Sequence, residues 1–336
     1  MNINWNVTAA CNLRCTHCYY TSHTREEELS LEEALDLLES IRSYYGKGTN
    51  VTLGGGEPLM REDIIEIIRY GSECGLNMMM GTNGTLITDD LARELKNAGL
   101  KEVIIPIEGN EKVHDAIRGE GTFRRGITGA KSCKKAGISL VIDPCLMKEN
   151  VGDLPEILDL CEKIGARQCR VFHFVEMGRG GVNRRGSSLG LTEYAKSLHD
   201  LYREQVKRPG LEICTTQACQ YWVVLAQAAE RGGYLPDFFH TEAPGCRAGI
   251  ALLSIKANGD VVPCPLLPVR IGNVREMSLD EVMRSEIIEH LRRRDVKGRC
   301  AICIHRDICG GCRVRAYLAS GDYLAEDPLC GEVFMR

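Results

Sequence analysis

The sequence predicts an α/β protein. A partial (β/α)6 barrel covers residues 1–208, a bridging region 209–240, and a small cysteine-rich domain 241–336. Three observations lead there. Strand-like and helix-like runs alternate from residue 3 to about 208, and strands joined through helices pair in parallel because a parallel pair needs a crossover connection. After residue 241 the elements shorten and cysteines crowd together, a composition that relies on metal–thiolate bonds where the apolar core is thin. The length of 336 residues suits one large domain and one small one. A flat doubly wound sheet satisfies the same alternation. In either form, functional groups gather at the carboxyl ends of the strands.

The elements follow in order. Asn4–Thr8 reads as the first strand. Ser30 and Glu33 form a capping box that opens a helix with apolar residues at Leu31, Ala34, Leu35, Leu38 and Ile41. Val51–Leu53 is the second strand, followed by a helix over about 61–74. Met78–Met80 precedes a helix over Asp89–Ala98, and Val103–Ile107 precedes one over about 123–136 that Gly137 ends. Ser139–Leu146 is a strand, and Leu154–Ile164 a helix begun near Pro155. Arg170–Val175 and Thr192–Val206 complete the sixth unit.

Composition excludes several functions. The net charge of -4 offers no basic field for nucleic acid. No run of about 18 apolar residues spans a membrane. Met1–Val7 lacks the basic start and apolar core of a secretory signal, so a cytoplasmic protein is expected. Seventeen cysteines in a reducing compartment point to metal ligation, not disulfides. Cys74, Cys133, Cys145, Cys161 and Cys169 fall singly within helices and strands and read as small core residues. The clusters at the two ends do not.

Cys11, Cys15 and Cys18 follow the first strand directly, with three and then two residues between them. Thiolates this close can face one cubane cluster from a single loop. Three ligands leave one iron of a four-iron cluster open, and an open position is where a cosubstrate binds. A zinc knuckle is the alternative, but His17 lies within the same turn and is poorly placed to close a tetrahedron. One unit later comes Gly54-Gly55-Gly56-Glu57-Pro58. Glycines let backbone approach a ligand closely, and exposed backbone groups with a carboxylate can hold an ammonium group.

On these residues the chain resembles the radical SAM superfamily. The resemblance implies a [4Fe–4S] cluster on Cys11, Cys15 and Cys18 whose open iron chelates the amino and carboxylate groups of S-adenosyl-L-methionine (SAM). It also implies reductive cleavage of the sulfonium to a 5′-deoxyadenosyl radical, chemistry that requires the absence of oxygen. His17 occupies the family's aromatic position, with its backbone near adenine. Gly55, Gly56, Glu57 and Pro58 would bind SAM, with Thr82, Asn83, Glu108 and Arg118 on the ribose and methionine ends. Arg118 suits the carboxylate because a guanidinium grips it with two bonds. Pro106 stands where relatives often carry a serine, which removes one hydrogen bond to SAM.

The second set is Cys246, Cys264, Cys300, Cys303, Cys309, Cys312 and Cys330. Two structural zinc ions are the plain alternative. The spacing resembles the auxiliary-cluster extension called SPASM, with two residues in place of three between Cys309 and Cys312. The resemblance implies one auxiliary [4Fe–4S] cluster on Cys300, Cys303, Cys309 and Cys330. A second would sit on Cys246, Cys264 and Cys312, with an iron left open. Cys214 and Cys219 precede this set and are candidate extra ligands.

The segments Cys309–Pro328 and Phe172–Gly180 resemble the branch that contains alternative-pathway heme synthases, nitrite-reductase heme enzymes, the mycofactocin maturase and tungsten-cofactor modifying proteins. The leading expectation is decarboxylation of side chains on an iron-porphyrin precursor, a tetrapyrrole substrate, with a ferredoxin or flavodoxin as electron donor. Arg179, Arg184 and Arg185 would meet the substrate carboxylates. Tyr19, His173 and Glu176 are the candidate catalytic residues, with His173 near an iron or carrying a proton. A maturase of a ribosomally made precursor peptide is the alternative. It is disfavoured by a radical domain that begins almost at Met1. A cluster-holding electron carrier without catalysis is a third, disfavoured by the open three-cysteine site.

Overall fold

The structure, a computed structural model, describes residues 1–20 and 27–331. Eleven strands form one sheet among the described residues: β1 (Asn2–Thr8), β2 (Asn50–Gly55), β3 (Asn77–Gly81), β4 (Glu102–Ile105), β5 (Ser139–Ile142), β6 (Cys145–Leu146), β7 (Gln168–His173), β8 (Glu212–Thr216), β9 (Leu252–Ile255), β10 (Asp260–Val262) and β11 (Gly272–Asn273). The order is β11-β10-β9-β1-β2-β3-β4-β5-β7-β6, with β8 also paired to β7. From β9 through β1 to β8 every pairing is parallel, whereas β9, β10 and β11 run antiparallel.

The crossover helices cover one face of the sheet. Ile3, Trp5, Val51, Leu53, Met78, Met80, Val103, Ile105, Leu140, Ile142, Cys169, Val171 and Ile213 alternate along the strands and all belong to the main core, as the period of two in a strand demands. The intervening residues face the barrel interior. The predicted capping box is present: Glu33 N donates to Ser30 Oγ (3.2 Å) and Ser30 N to Glu33 Oε2 (2.7 Å). The helix it opens, Leu31–Tyr45, buries Ala34, Leu37, Leu38 and Ile41.

Three local features differ from the sequence expectation. Ser139–Leu146 divides into β5 and β6, because Pro144 has no N–H to continue a ladder. An additional helix, Glu111–Arg118, lies between β4 and the helix Thr122–Lys135, and Asn110 caps it through Val113 N (3.2 Å). Residues 209–240 contain β8 and the helix Tyr221–Glu230, so this stretch extends the barrel sheet. β9, from the cysteine-rich end of the chain, continues the same sheet on the other side of β1.

Candidate functional site

Residues 9–18 leave the end of β1 as a loop held by most of the neighbouring strand ends. Gly56 N donates to Thr8 O (2.9 Å) and Glu57 N to Ala10 O (2.8 Å). Asn83 Nδ2 donates to Asn12 Oδ1 (2.8 Å), and Asn12 Nδ2 to Thr85 Oγ1 (3.0 Å). Thr16 N donates to Ile117 O (2.8 Å). From beyond β7, Arg179 Nε reaches Cys15 O (2.9 Å), Gly180 N reaches Cys18 O (2.9 Å) and Arg184 Nε reaches Thr16 Oγ1 (2.8 Å). Arg179 and Arg184 therefore brace the cysteine loop. Arg185 is exposed.

The glycine turn is dictated by this packing. A Cβ on Gly56 would fall 2.1 Å from Ala10 O, and one on Gly55 2.3 Å from Thr8 O. Gly56→Ala must displace the strand that carries the cysteines, at a cost of about 1–3 kcal/mol. SAM affinity is expected to weaken about tenfold. Equilibrium binding of SAM to the anaerobic variant checks this, and unchanged affinity would refute it.

Glu57 is fully buried. Its Oε1 accepts from Thr82 Oγ1 (2.7 Å) and Leu59 N (3.2 Å), and its Oε2 from Asn83 N (2.8 Å). Burial raises the carboxyl pKa, while these donors and the Arg118 charge act the other way. Its carboxylate thus locks the end of β2 to the end of β3. The backbone of Gly55 and Gly56, followed by Pro58, is left to face the cysteine loop. Thr82 and Asn83 are braces in the same network.

Glu108, also fully buried, follows β4. Arg118 grips it through Nε (2.7 Å) and through its terminal nitrogen (2.6 Å), while His17 Nε2 lies 3.2 Å away and Cys145 N donates to Oε2 (2.7 Å). Burial opposes the charge, but Arg118 and then His17 outweigh it and hold the carboxyl well below the usual range. Arg118 sits at the last turn of Glu111–Arg118 and also points Nη1 at Cys15 Sγ (3.8 Å). The carboxylate it grips here is the protein's own, and its positive charge faces the cysteine loop. Burial, and secondly the Arg118 charge on the thiolate, push the Cys15 pKa in opposite directions, with burial prevailing.

The cysteine triplet suits an iron–sulfur centre. Burial, with Glu57 and the other two cysteines, raises the Cys11 thiol to about 11, although Leu13 N donates to its sulfur (3.4 Å). Thiols that burial holds protonated, as at Cys11 and Cys15, become thiolates readily only around bound cations. Among the described residues no three His, Cys, Asp or Glu side chains converge as a single-ion site requires. A cubane takes each thiolate at a separate corner.

The Tyr19 and Tyr20 rings meet at a tilt of 45°, with centroids 5.0 Å apart. Burial raises the Tyr19 hydroxyl well above its ordinary value, followed by Tyr20, Cys18 and, more weakly, Cys264. Tyr19 thus stands between the N-terminal triplet and the second cysteine set. Glu176 accepts from Gly186 N (2.8 Å) and Ser188 N (3.2 Å) and shapes the loop after β7.

His173 requires correction. With Cys169 and Val171 it occupies the face of β7 that packs on the helix Leu191–Lys207, away from the barrel interior. Its Nε2 lies 3.1 Å from Ser197 Oγ, and its ring meets Tyr194 edge-on. In this position it turns to the helix and away from the cysteine loop. Burial, then the Arg315 charge, push its pKa down to about 3. The unfolded chain binds this proton near pH 6.5 and the folded chain only near 3. Stability is therefore full above pH 6.5 and falls as pH drops, by about 2 kcal/mol at pH 5. His173→Gln is expected to narrow the gap between urea midpoints at pH 7 and pH 5, and an unchanged gap would exclude His173 as its source.

Residues missed in the sequence line the barrel. Asp143 follows β5 on the inward parity, and its Oδ1 has no hydrogen-bond partner among the described residues. Burial holds its carboxyl up at about 8, with Arg170 of β7 the nearest opposing charge. Arg170 also interacts electrostatically with Cys214 of β8.

The remaining cysteines fall into two groups. Cys330 interacts electrostatically with Cys300 and Cys303, and Cys309 with Cys330 and Cys300. Cys264 interacts with Cys246 and Cys312. Cys309 and Cys312 belong to different groups although only two residues separate them. Gly310 and Gly311 make this turn at φ 68° and 60°, and a Cβ on Gly311 would lie 2.9 Å from Asp327 Cβ. Cys219 lies with the second group, beside Cys246. The neighbouring Cys219 thiol, and less so the Arg313 charge, draw the Cys246 thiol down. Among the described residues no disulfide joins any cysteines.

A barrel mouth that presents three cysteines on a doubly braced loop, backed by two more cysteine groups, defines a radical-forming iron–sulfur enzyme. The comparisons specify which. A model of the radical SAM superfamily matches residues 5–161, and one of a SPASM iron–sulfur cluster-binding domain matches 246–305. The chain is 35% identical to the AdoMet-dependent heme synthase of Methanosarcina barkeri, across 98% of this chain and 95% of that protein. It is 32% identical to the Fe-coproporphyrin III synthase of the same organism, across 97% and 85%. To the mycofactocin maturase MftC of Mycolicibacterium smegmatis it is 29% identical, across 98% and 82%. In fold it is similar to Streptococcus suis SuiB bound to its precursor peptide SuiA, with a TM-score of 0.78 at 19% identity, covering 98% of this chain and 75% of SuiB. The chain belongs to the radical SAM superfamily, in the SPASM-containing branch that includes heme synthases and the mycofactocin maturase. It is an enzyme, and its cofactors are SAM, the SAM-binding [4Fe–4S] cluster and auxiliary iron–sulfur centres. Among the described residues no helix is long and apolar enough to cross a membrane.

Proposed function

We propose that this enzyme removes carboxyl groups from side chains of an iron-porphyrin precursor in heme formation. The similarity to a heme synthase along nearly the whole of both chains carries this reading. Cys11, Cys15 and Cys18 would hold the SAM-binding cluster, which supplies the reductive cleavage of SAM. The chain's own residues orient the cosubstrate: the Gly55–Gly56 backbone beside the loop, and the Glu108–Arg118 pair that keeps a positive charge against Cys15. Barrel walls and the bracing loop after β7 exclude water from the radical.

The chemistry must balance. A propionate side chain that gives up one hydrogen atom to the 5′-deoxyadenosyl radical and then one electron releases carbon dioxide and leaves a vinyl group. The electron needs an acceptor, a task suited to the auxiliary centres of the second cysteine set. A cytoplasmic ferredoxin or flavodoxin would supply the electron that cleaves SAM. Anaerobic enzyme with SAM, dithionite and iron coproporphyrin should form 5′-deoxyadenosine. The porphyrin should lose one carbon dioxide and two hydrogens per converted side chain by mass spectrometry. No visible-absorption shift with any carboxylated iron porphyrin, and no mass change, would overturn this reading. The likeness to MftC supports peptide maturation as the alternative. A mass change in a precursor peptide under the same conditions, with none in the porphyrin, would select it.

A further inference from the structure

The sequence motif supplies three cysteines to one of the two C-terminal groups: Cys246, Cys264 and Cys312. The fold supplies another. Cys219, from the segment between β8 and the helix Tyr221–Glu230, is buried in one cluster with Cys264, Cys309 and Cys312, against which Cys246 packs. Its thiol lies beside that of Cys246 and within electrostatic reach of Cys312 and Cys309.

This placement is enforced from both sides. Gln217 turns the chain at φ 55°, a left-handed conformation that a non-glycine residue adopts only under constraint. Its carbonyl accepts from Arg315 Nη1. Gln220 accepts from Arg315 Nη2 (3.2 Å) and donates to Asp327 Oδ2 (3.1 Å). The same Asp327 oxygen accepts from Cys312 N (2.7 Å). Arg315 lies three residues beyond Cys312, in the helix Arg313–Ser320. The residues flanking Cys219 are thus tied to the very groups that fix Cys312. Cys214, by contrast, turns to Arg170 in the barrel.

We propose that Cys219 is the fourth thiolate of the second auxiliary centre, completing a set with Cys246, Cys264 and Cys312 so that no iron there stays open. This rests on the reading that the second group holds an iron–sulfur cluster. A closed centre binds no substrate through iron and serves as an electron relay, consistent with the one-electron step proposed above. The expectation of an open auxiliary iron, drawn from the three motif cysteines, would then be replaced.

The test uses the full chain carrying Cys11→Ala, Cys15→Ala and Cys18→Ala, which removes the SAM-binding cluster and its own open iron. After anaerobic reconstitution and reduction, carbon-13 cyanide is added, and its hyperfine coupling to cluster spin is read by pulsed electron paramagnetic resonance. The parent should show two four-iron clusters by iron and sulfide analysis and no cyanide coupling. Adding Cys219→Ala should create a coupled cyanide, or lose about half the iron as one cluster fails to assemble. Cys214→Ala should do neither. If Cys219→Ala does not fold, Cys219→Ser serves, because an oxygen ligand should shift the Mössbauer parameters of one iron. Cyanide coupling already present in the parent, or a Cys219→Ala variant with unchanged iron content and no coupling, would overturn the proposal while leaving the auxiliary clusters standing. A parent that assembles only the Cys300 group's cluster would overturn the reading beneath it as well.

Discussion

Replacing Cys11, Cys15 and Cys18 together by alanine is expected to abolish 5′-deoxyadenosine formation from SAM under dithionite, a loss of at least about 10⁶-fold at the low end of enzymatic rate enhancements. These thiols stand on one loop, and the backbone of β2, the helix after β4 and the loop after β7 all hold that loop. No other cysteine group is braced against the glycine turn. The C-terminal groups are expected to keep their iron in this variant, so chromatography of the nucleoside product paired with iron analysis separates a specific loss from general collapse. Product at the wild-type rate would mean that SAM is cleaved elsewhere.

Asp327→Ala is expected to destabilise the protein by about 3–5 kcal/mol, because it leaves the Arg315 guanidinium buried without its partner. Arg315 meets Asp327 through Nε (2.8 Å) and Nη2 (2.6 Å), with side-chain exposures of 7% and 0%. Tyr194 joins through Gln220 (2.6 Å), so the network welds the cysteine-rich end of the chain to a barrel helix. Glu326, the adjacent residue, pairs with Arg299 at 46% and 38% exposure, and Glu326→Gln should cost no more than about 1 kcal/mol. Urea unfolding of the two variants under nitrogen measures both. Equal midpoints would show that the buried network contributes no more than a surface pair.

Local signals made the barrel and the first cysteine site legible. Ser30 and Glu33 cap a helix within four residues, and Cys11, Cys15 and Cys18 announce their chemistry within eight. The Gly55–Gly56 turn was recognised, although its reason, contact with Thr8 and Ala10, depends on a strand pairing that spacing alone does not show. What stayed hidden depends on orientation. His173 was assigned to the site because it ends a strand. Its parity with Cys169 and Val171, both apolar, already pointed it at the helices. Arg179 and Arg184 look available to a ligand because arginines beyond a strand end often are, but Arg179 meets the Cys15 carbonyl, and Arg184 meets Thr16 Oγ1, the Ala116 carbonyl and the Glu149 carboxylate. Cys214 and Cys219 are equal candidates on spacing, and only the ties of Gln217 and Gln220 to Arg315 and Asp327 bring Cys219 alone to the second group. Asp143 carried no motif at all.

The pairing of Asn2–Trp5 with Leu252–Ile255 sets an order on biosynthesis. The strand bearing the radical loop has one edge that finds its partner only after about 250 further residues have left the ribosome, roughly 10–50 s at ordinary elongation rates. Until then that edge is an open template for pairing with other nascent chains. A message cut short before β9 should therefore yield aggregates in place of a working barrel. Loading of the first iron centre would accordingly belong to a late stage of maturation, after the tail of the polypeptide has come back to its beginning.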